Sequence, residues 1–213
     1  MATEEERRIT QEGNPAKPQG EAGAHMLNRM NESHAAVTEW GLSHLHPAAD
    51  ARVLDIGCGG GATLRRLAAR VPQGHVTGVD YSEVSVACSL ALNEAAVEAG
   101  RMQVLQASVE LLPFADASFD LITTVESFYF WPNPQENLRE VWRILKPTGT
   151  FLLIADIYED GCLPDEVRDN IRRYRLFNPT KEQFEELFHK AGFRDVILHT
   201  RSGEHWIAVC GKR

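Results

Sequence analysis

Apolar and polar positions follow two rhythms along this chain. Short, largely apolar runs at 53–56, 75–79, 102–106, 119–124 and 150–155 predict short strands, the fifth apolar throughout as a central strand should be. Between them the apolar residues recur every three or four positions, which predicts amphipathic helices. Leu64, Leu67 and Val71 mark the first, and Val86, Leu90 and Val97 a second that Ser82 caps and Gly100 ends. Leu138, Val141, Trp142 and Leu145 mark a third over 133–145, stopped by Lys146 and Pro147. Thr180 and Gln183 form a capping box for a last helix through Phe184, Leu187 and Phe188 to Gly192. The stretches 193–200 and 205–210 then read as an antiparallel pair. Strand and helix alternate throughout, so the chain is α/β with a mostly parallel sheet.

Three stretches stand outside that alternation. Residues 1–23 are rich in Glu, Gln, Pro, Gly and Lys, with Ile9 their one large aliphatic residue after Met1, and read as a flexible tail. Residues 24–46 carry a helical stripe of Leu27, Met30, Val37, Gly41 and Leu45, with His34 in the same spacing. Residues 157–179 insert before the last helix, where a substrate lid would sit. Pro164 can open a helix there with Val167, Ile171 and Tyr174 inward. Arg168, Arg172, Arg173 and Arg175 spread around that helix, as a solvated face does, rather than converging on an acidic ligand.

Chemistry enters at the end of the first strand. Gly57, Gly59, Gly60 and Gly61 join strand to helix, a turn where backbone can approach a ligand and helix N–H groups point at it. This is a nucleotide-type pocket at the carboxyl end of a first strand. Gly57, Gly59 and Ala62 also fit the dinucleotide fingerprint, a weak match. Asp55, two residues before the loop, suits a ligand bearing ammonium and sulfonium better than a pyrophosphate. Asp80 ends the second strand about 20 residues on, where such units bind ribose hydroxyls. A helix cap is its bland alternative.

Four segments together resemble the class I S-adenosylmethionine-dependent methyltransferases, and among these the small-molecule group related to the ubiquinone and menaquinone enzymes. They are Asp55-Ile56-Gly57-Cys58-Gly59, Gly78-Val79-Asp80-Tyr81-Ser82, Leu112-Pro113-Phe114 and the run from Leu138 to Pro147. The resemblance runs from about residue 50 to the C-terminus. It implies a Rossmann-like three-layer sandwich with a seven-stranded sheet closed by an antiparallel hairpin. It also implies S-adenosyl-L-methionine as cofactor, leaving as S-adenosyl-L-homocysteine. The cofactor residues expected on that basis are Asp55, Gly57, Gly59, Gly61, Asp80, Tyr81, Ser108, Val109 and Val125. Ser108 stands where the resembling enzymes commonly carry an adenine-binding aspartate.

The fourth strand should end beside the reacting methyl. The aromatics Phe128, Tyr129, Phe130 and Trp131 follow it and suit an apolar cavity wall or a cation–π contact, with ordinary packing as the alternative. Glu126, His34 and Tyr129 are the candidate bases, should the acceptor carry a proton at neutral pH. His34 has a core role as its alternative, and Glu126 a plain surface one.

The net charge of −8 argues against a nucleic-acid partner and leaves a small-molecule acceptor. Cys58, Cys88, Cys162 and Cys210 have no metal-ligand spacing, so no metal is expected. No run reaches transmembrane length and the N-terminus lacks a signal-peptide core, which together predict a cytoplasmic protein. Two rival functions stay open: an NAD(P)-dependent oxidoreductase, and a non-catalytic module that keeps the cofactor pocket.

Overall fold

A computed structural model of the chain describes residues 4–213. Seven strands form one sheet: β1 (Arg52–Ile56), β2 (His75–Asp80), β3 (Met102–Gln106), β4 (Phe119–Val125), β5 (Leu145–Ala155), β6 (Arg194–Thr200) and β7 (Ile207–Lys212). Their spatial order is β3-β2-β1-β4-β5-β7-β6. The first five run parallel, and β7 pairs antiparallel with both β5 and β6. The seven-stranded sheet with its closing hairpin is as expected. Strand order reverses between β1 and β4, and a ligand crevice opens outside the carboxyl ends at such a point.

The period-two geometry of strands sorts β5 into two cores. Phe151 and Leu153 face a cluster with Phe128, Phe184, Phe188 and Phe193. Leu152 and Ile154 face the opposite cluster with Val53, Leu64, Leu67 and Val76. Helices cover both faces: α4 (Ala62–Arg70), α5 (Glu83–Leu92), α6 (Glu94–Glu98), α7 (Pro134–Ile144) and α9 (Lys181–Ala191), with α8 (Asp165–Tyr174) in the 157–179 insertion. The capping box at Thr180 is present in full.

Several boundaries differ from the sequence pattern. β5 begins at Leu145, so Lys146 and Pro147, expected to stop the preceding helix, lie inside a strand. The 1–23 segment is helical over α1 (Glu4–Gly13), and α2 (Gly20–Ser33) begins within it; residues 1–3 lie outside the described residues. Arg29 donates a hydrogen bond to Thr10 across these two helices, and Tyr81 and Ser82 hold the turn between them. Partners elsewhere in the chain, invisible to local composition, thus tie the segment down. The 24–46 stripe is two helices, α2 and α3 (Ala35–Leu42), with His34 at the break. A Cβ on Gly41 would stand 2.5 Å from Ile154, so the bare glycine sets how closely α3 packs on β5. The helix after Ser82 breaks at Asn93, whose amide donates to the carbonyls of Gly61 and Ser89. In α8 no residue is fully buried, so Val167, Ile171 and Tyr174 form a shallower stripe than the pattern suggested.

Candidate active site

Outside the switch point lies a cavity of about 360 Å³. Its floor is the glycine loop. Gly57, Gly59 and Gly61 have φ of 73°, 51° and 83°, left-handed values that side chains resist. A Cβ on Gly57 would also sit 2.0 Å from the Ser127 hydroxyl. Loop carbonyls are tied down from behind: Asn31 donates to Gly60 O at 3.2 Å, Ser89 to Gly59 O at 2.9 Å and Asn93 to Gly61 O at 3.1 Å.

Asp80 lines the cavity and accepts from Gly59 N–H at 3.0 Å and Ser82 N–H at 2.9 Å. Burial raises its pKa, against the pull of those N–H groups. The two N–H groups fix the carboxylate, and its other lone pairs can accept from a diol. Ser82 is the helix cap, with its hydroxyl accepting from Ser85 N–H, so the capping role weighed for Asp80 falls to its neighbour.

Tyr81, Ser108, Val109 and Val125 line the cavity as expected, and so do Gly57 and Gly59. The Ser108 hydroxyl accepts from Glu110 N–H at 3.2 Å, a local turn that leaves Val109 and Glu110 on the wall. Two expected residues do not line it. Asp55 pairs in register with Thr123, and side chains in register on adjacent parallel strands share a face. Its carboxylate therefore turns into the sheet face, where the Thr123 hydroxyl donates to it at 2.6 Å. Burial pushes its pKa up to about 7, and nearby Asp80 adds to the rise. The placement of Asp55 against an ammonium or sulfonium is corrected accordingly. Gly61 opens α4 and packs on Ser89 and Asn93, while Gly60 takes the wall position.

The far end of the cavity carries His34, Glu126, Ser127, Phe130 and Trp131. Phe130 belongs to a short 3-10 turn (Phe128–Phe130), and Phe128 and Tyr129 beside it are buried. Among the four aromatics, then, Phe130 and Trp131 form wall while Phe128 and Tyr129 pack. Glu126 precedes that turn with φ of 54°, a strained value for a side-chain-bearing residue. Its carboxylate accepts from Asp156 N–H at 2.6 Å and from the Tyr129 hydroxyl at 3.3 Å. That hydroxyl also lies 3.0 Å from Asp156 Oδ1. Burial pushes the Glu126 carboxyl well above the usual range, and Asp156 beside it pushes it further. Burial likewise lowers His34, with Asp156 opposing. Tyr129, expected as a candidate base, stands behind Glu126 and not on the wall.

Local periodicity gave no sign of the turn at residues 15–18. Pro15, Ala16 and Pro18 line the cavity from above. Tyr81 donates a hydrogen bond to Ala16 O, and Ser82 donates to Pro18 O at 2.5 Å. Lys17 adds a cation over the Tyr81 ring at 5.5 Å. Proline and alanine in a polar stretch were the one available signal. Among the described residues no helix is long and apolar enough to cross a membrane.

Comparison with known proteins follows the same outline. Residues 54–153 match a family described as a methyltransferase domain. The O-methyltransferase rstn1 of Aspergillus nomiae is 34% identical over 150 residues, covering 68% of this chain and 65% of that protein. A chloroplastic 2-methyl-6-phytyl-1,4-hydroquinone methyltransferase of Oryza sativa is 32% identical over 155 residues, covering 73% of this chain and 42% of its own. The chain thus spans 42% to 65% of the length of these relatives. Among solved structures, a Haemonchus contortus phosphoethanolamine N-methyltransferase bound to S-adenosylhomocysteine superposes with a TM-score of 0.78. At 16% identity it covers all of this chain and 60% of that one, a likeness of fold. With its glycine loop, switch-point cavity and closing hairpin, the chain belongs to the class I S-adenosylmethionine-dependent methyltransferases.

Proposed function

We propose that the protein transfers a methyl group from S-adenosylmethionine to a hydroxyl-bearing small molecule. The observation that carries this reading is a single cavity with two chemically different ends. At one end the glycine loop, Asp80, Tyr81 and the Ser108–Val109 turn suit an adenosine ligand. At the other, aromatic wall meets a polar group of His34 and Glu126. The sulfonium is an activated donor with a neutral leaving group, so no acid is needed. The chain's work is alignment of nucleophile, methyl and sulfur while water is kept out.

His34 and Glu126 act on the acceptor's hydroxyl as it loses its proton, and Tyr129 and Asp156 hold Glu126 in place. Relatives named as an O-methyltransferase and a hydroquinone methyltransferase favour an oxygen-bearing aromatic acceptor, which the Phe130 and Trp131 wall suits. The oxidoreductase reading of Gly57, Gly59 and Ala62 is disfavoured, because a dinucleotide fold would not normally close with the antiparallel β6–β7 hairpin. A small, neutral acceptor also fits the acidic chain better than nucleic acid does. The free cysteines fit a reducing compartment, the cytoplasm on this reading.

Calorimetric titration with S-adenosylhomocysteine, beside NAD and NADP, tests the proposal. Micromolar binding of S-adenosylhomocysteine alone is the expected result. Binding of NAD or NADP in its place would restore the oxidoreductase reading.

A further inference from the structure

At the far end of the cavity two carboxyl groups and an imidazole come together, with Glu126 and His34 on the wall. Glu126 and Asp156 meet there, and their hydrogen-bond partners are the Tyr129 hydroxyl and the Asp156 N–H. Among the described residues no arginine or lysine acts on the Glu126 carboxyl, whereas the Arg29 charge reaches His34. The His34 ring faces the pair, lines the cavity and makes no hydrogen bond among the described residues. One ligand atom from each of the three lies within 4.8 Å of the others.

We propose that His34, Glu126 and Asp156 bind one divalent transition-metal ion, which holds the acceptor's oxygen. This rests on the methyltransferase reading: the same side chains act on the hydroxyl, now through the ion. Ligand atoms on a common ion at about 2.1 Å lie roughly 3 to 4 Å apart. Ligand atoms as far as 4.8 Å apart must therefore close by roughly 1 to 2 Å, a change that side-chain rotation can supply. Two carboxylates supply the charge that offsets a dication, and an imidazole in the set favours Mn2+ or Zn2+ over Mg2+ or Ca2+. The imidazole must be neutral to ligate, and burial favours that form. The Tyr129 hydroxyl lies within hydrogen-bond reach of both carboxyl groups and can donate to either from behind, as partners of metal ligands commonly do.

Three protein ligands leave coordination positions open toward the cavity. A hydroxyl entering one of them would be acidified by the ion and would release its proton to bulk solvent on binding, before water is excluded, and the oxygen would then attack the methyl. The O–H and S–CH3 bonds break, the O–CH3 bond forms, and the sulfur leaves as a neutral thioether. The three ligands come from the α2–α3 break, the turn after β4 and the end of β5, so no spacing rule could have found them.

The test is titration of the full chain with Mn2+, followed by electron paramagnetic resonance, and with Zn2+ by calorimetry. Each is repeated on Asp156→Asn and His34→Ala, with S-adenosylhomocysteine affinity measured in parallel. One ion per chain is expected, with affinity falling roughly tenfold or more in each variant. S-adenosylhomocysteine binding should stay unchanged in both. Wild type that binds S-adenosylhomocysteine but neither ion more tightly than about 1 mM overturns the proposal. So does ion binding that both variants retain. If Asp156→Asn loses S-adenosylhomocysteine as well, it has lost the fold, and His34→Ala decides. Loss of S-adenosylhomocysteine binding in wild type sinks the cofactor reading instead, and the ion titration still reports on its own site.

Discussion

Three carboxyl groups in and beside this site share a residue class and differ in task, and the difference follows from what each touches. Asp80 faces the cavity with its orientation fixed by Gly59 and Ser82 N–H groups. Removing it deletes a charged hydrogen-bonding partner, about 1.5 to 3 kcal/mol, or one to two orders of magnitude in affinity. Asp80→Ala should therefore weaken S-adenosylhomocysteine by that factor in calorimetry while thermal unfolding stays cooperative. Glu126 stands at the other end and its effect should be kinetic. Glu126→Gln keeps the shape, and turnover should fall about a hundredfold. Its S-adenosylhomocysteine affinity should remain that of wild type; a turnover equal to wild type would remove Glu126 from the chemistry. Asp55 is the third. Its folded pKa of about 7 lies above the unfolded value of 3.8, so between these the folded state holds the extra proton. Stability from this group is present at low pH and is lost as pH rises toward and through 7. Urea midpoints at pH 5 and pH 8 check this. Asp55→Asn should lose less stability over that interval than wild type, because its amide does not titrate.

At the scale of elements, strands and capped helices were legible because each depends on its own residues. The apolar runs of β1 and β2 and the Thr180 capping box are local signals and appear where the pattern put them, whereas β5 starts earlier than its run, at Leu145. What local pattern could not reveal depends on distant partners. Asn93 breaks a helix because its amide serves the glycine loop some 30 residues earlier. Asp55 turns from the cavity because β4 brings Thr123 beside it. The N-terminal segment reads as unstructured by composition, yet Ala16 and Pro18 carbonyls accept from Tyr81 and Ser82 at the cavity mouth. That turn forms the roof over the adenosine end, so its loss should speed release. A chain lacking residues 1–19 is expected to bind S-adenosylhomocysteine roughly tenfold more weakly, mostly through the off-rate, where most affinity differences reside. Equal off-rates in stopped-flow displacement would make the roof irrelevant to retention.

At the scale of the molecule, the cavity sits where two sequentially distant halves meet, and that couples ligand to fold. Its walls come from the ends of β1 and β2, the turn after β3, the end of β4 and the N-terminal helices. The hairpin contributes nothing to those walls. It completes the aromatic core in which Phe151, Phe188 and Phe193 stack at 5.2 to 5.6 Å between ring centroids. Two perturbations should therefore separate. Phe188→Ala empties a fully buried ring position and should lower stability by about 3 to 5 kcal/mol. It should leave S-adenosylhomocysteine affinity near wild type at temperatures where the variant is folded. Ligand, conversely, binds only where both halves are assembled. S-adenosylhomocysteine at a hundred times its dissociation constant should add about 2.7 kcal/mol. For a chain of this size that is a rise in Tm of roughly 5 to 10 °C. Differential scanning fluorimetry of wild type, Phe188→Ala and Asp80→Ala reads both effects at once. The ligand-induced rise should survive in the core variant, from a lower starting temperature, and shrink in the cavity variant. A rise that Phe188→Ala abolished would mean the hairpin core and the cavity are one cooperative site rather than a support and the pocket it supports.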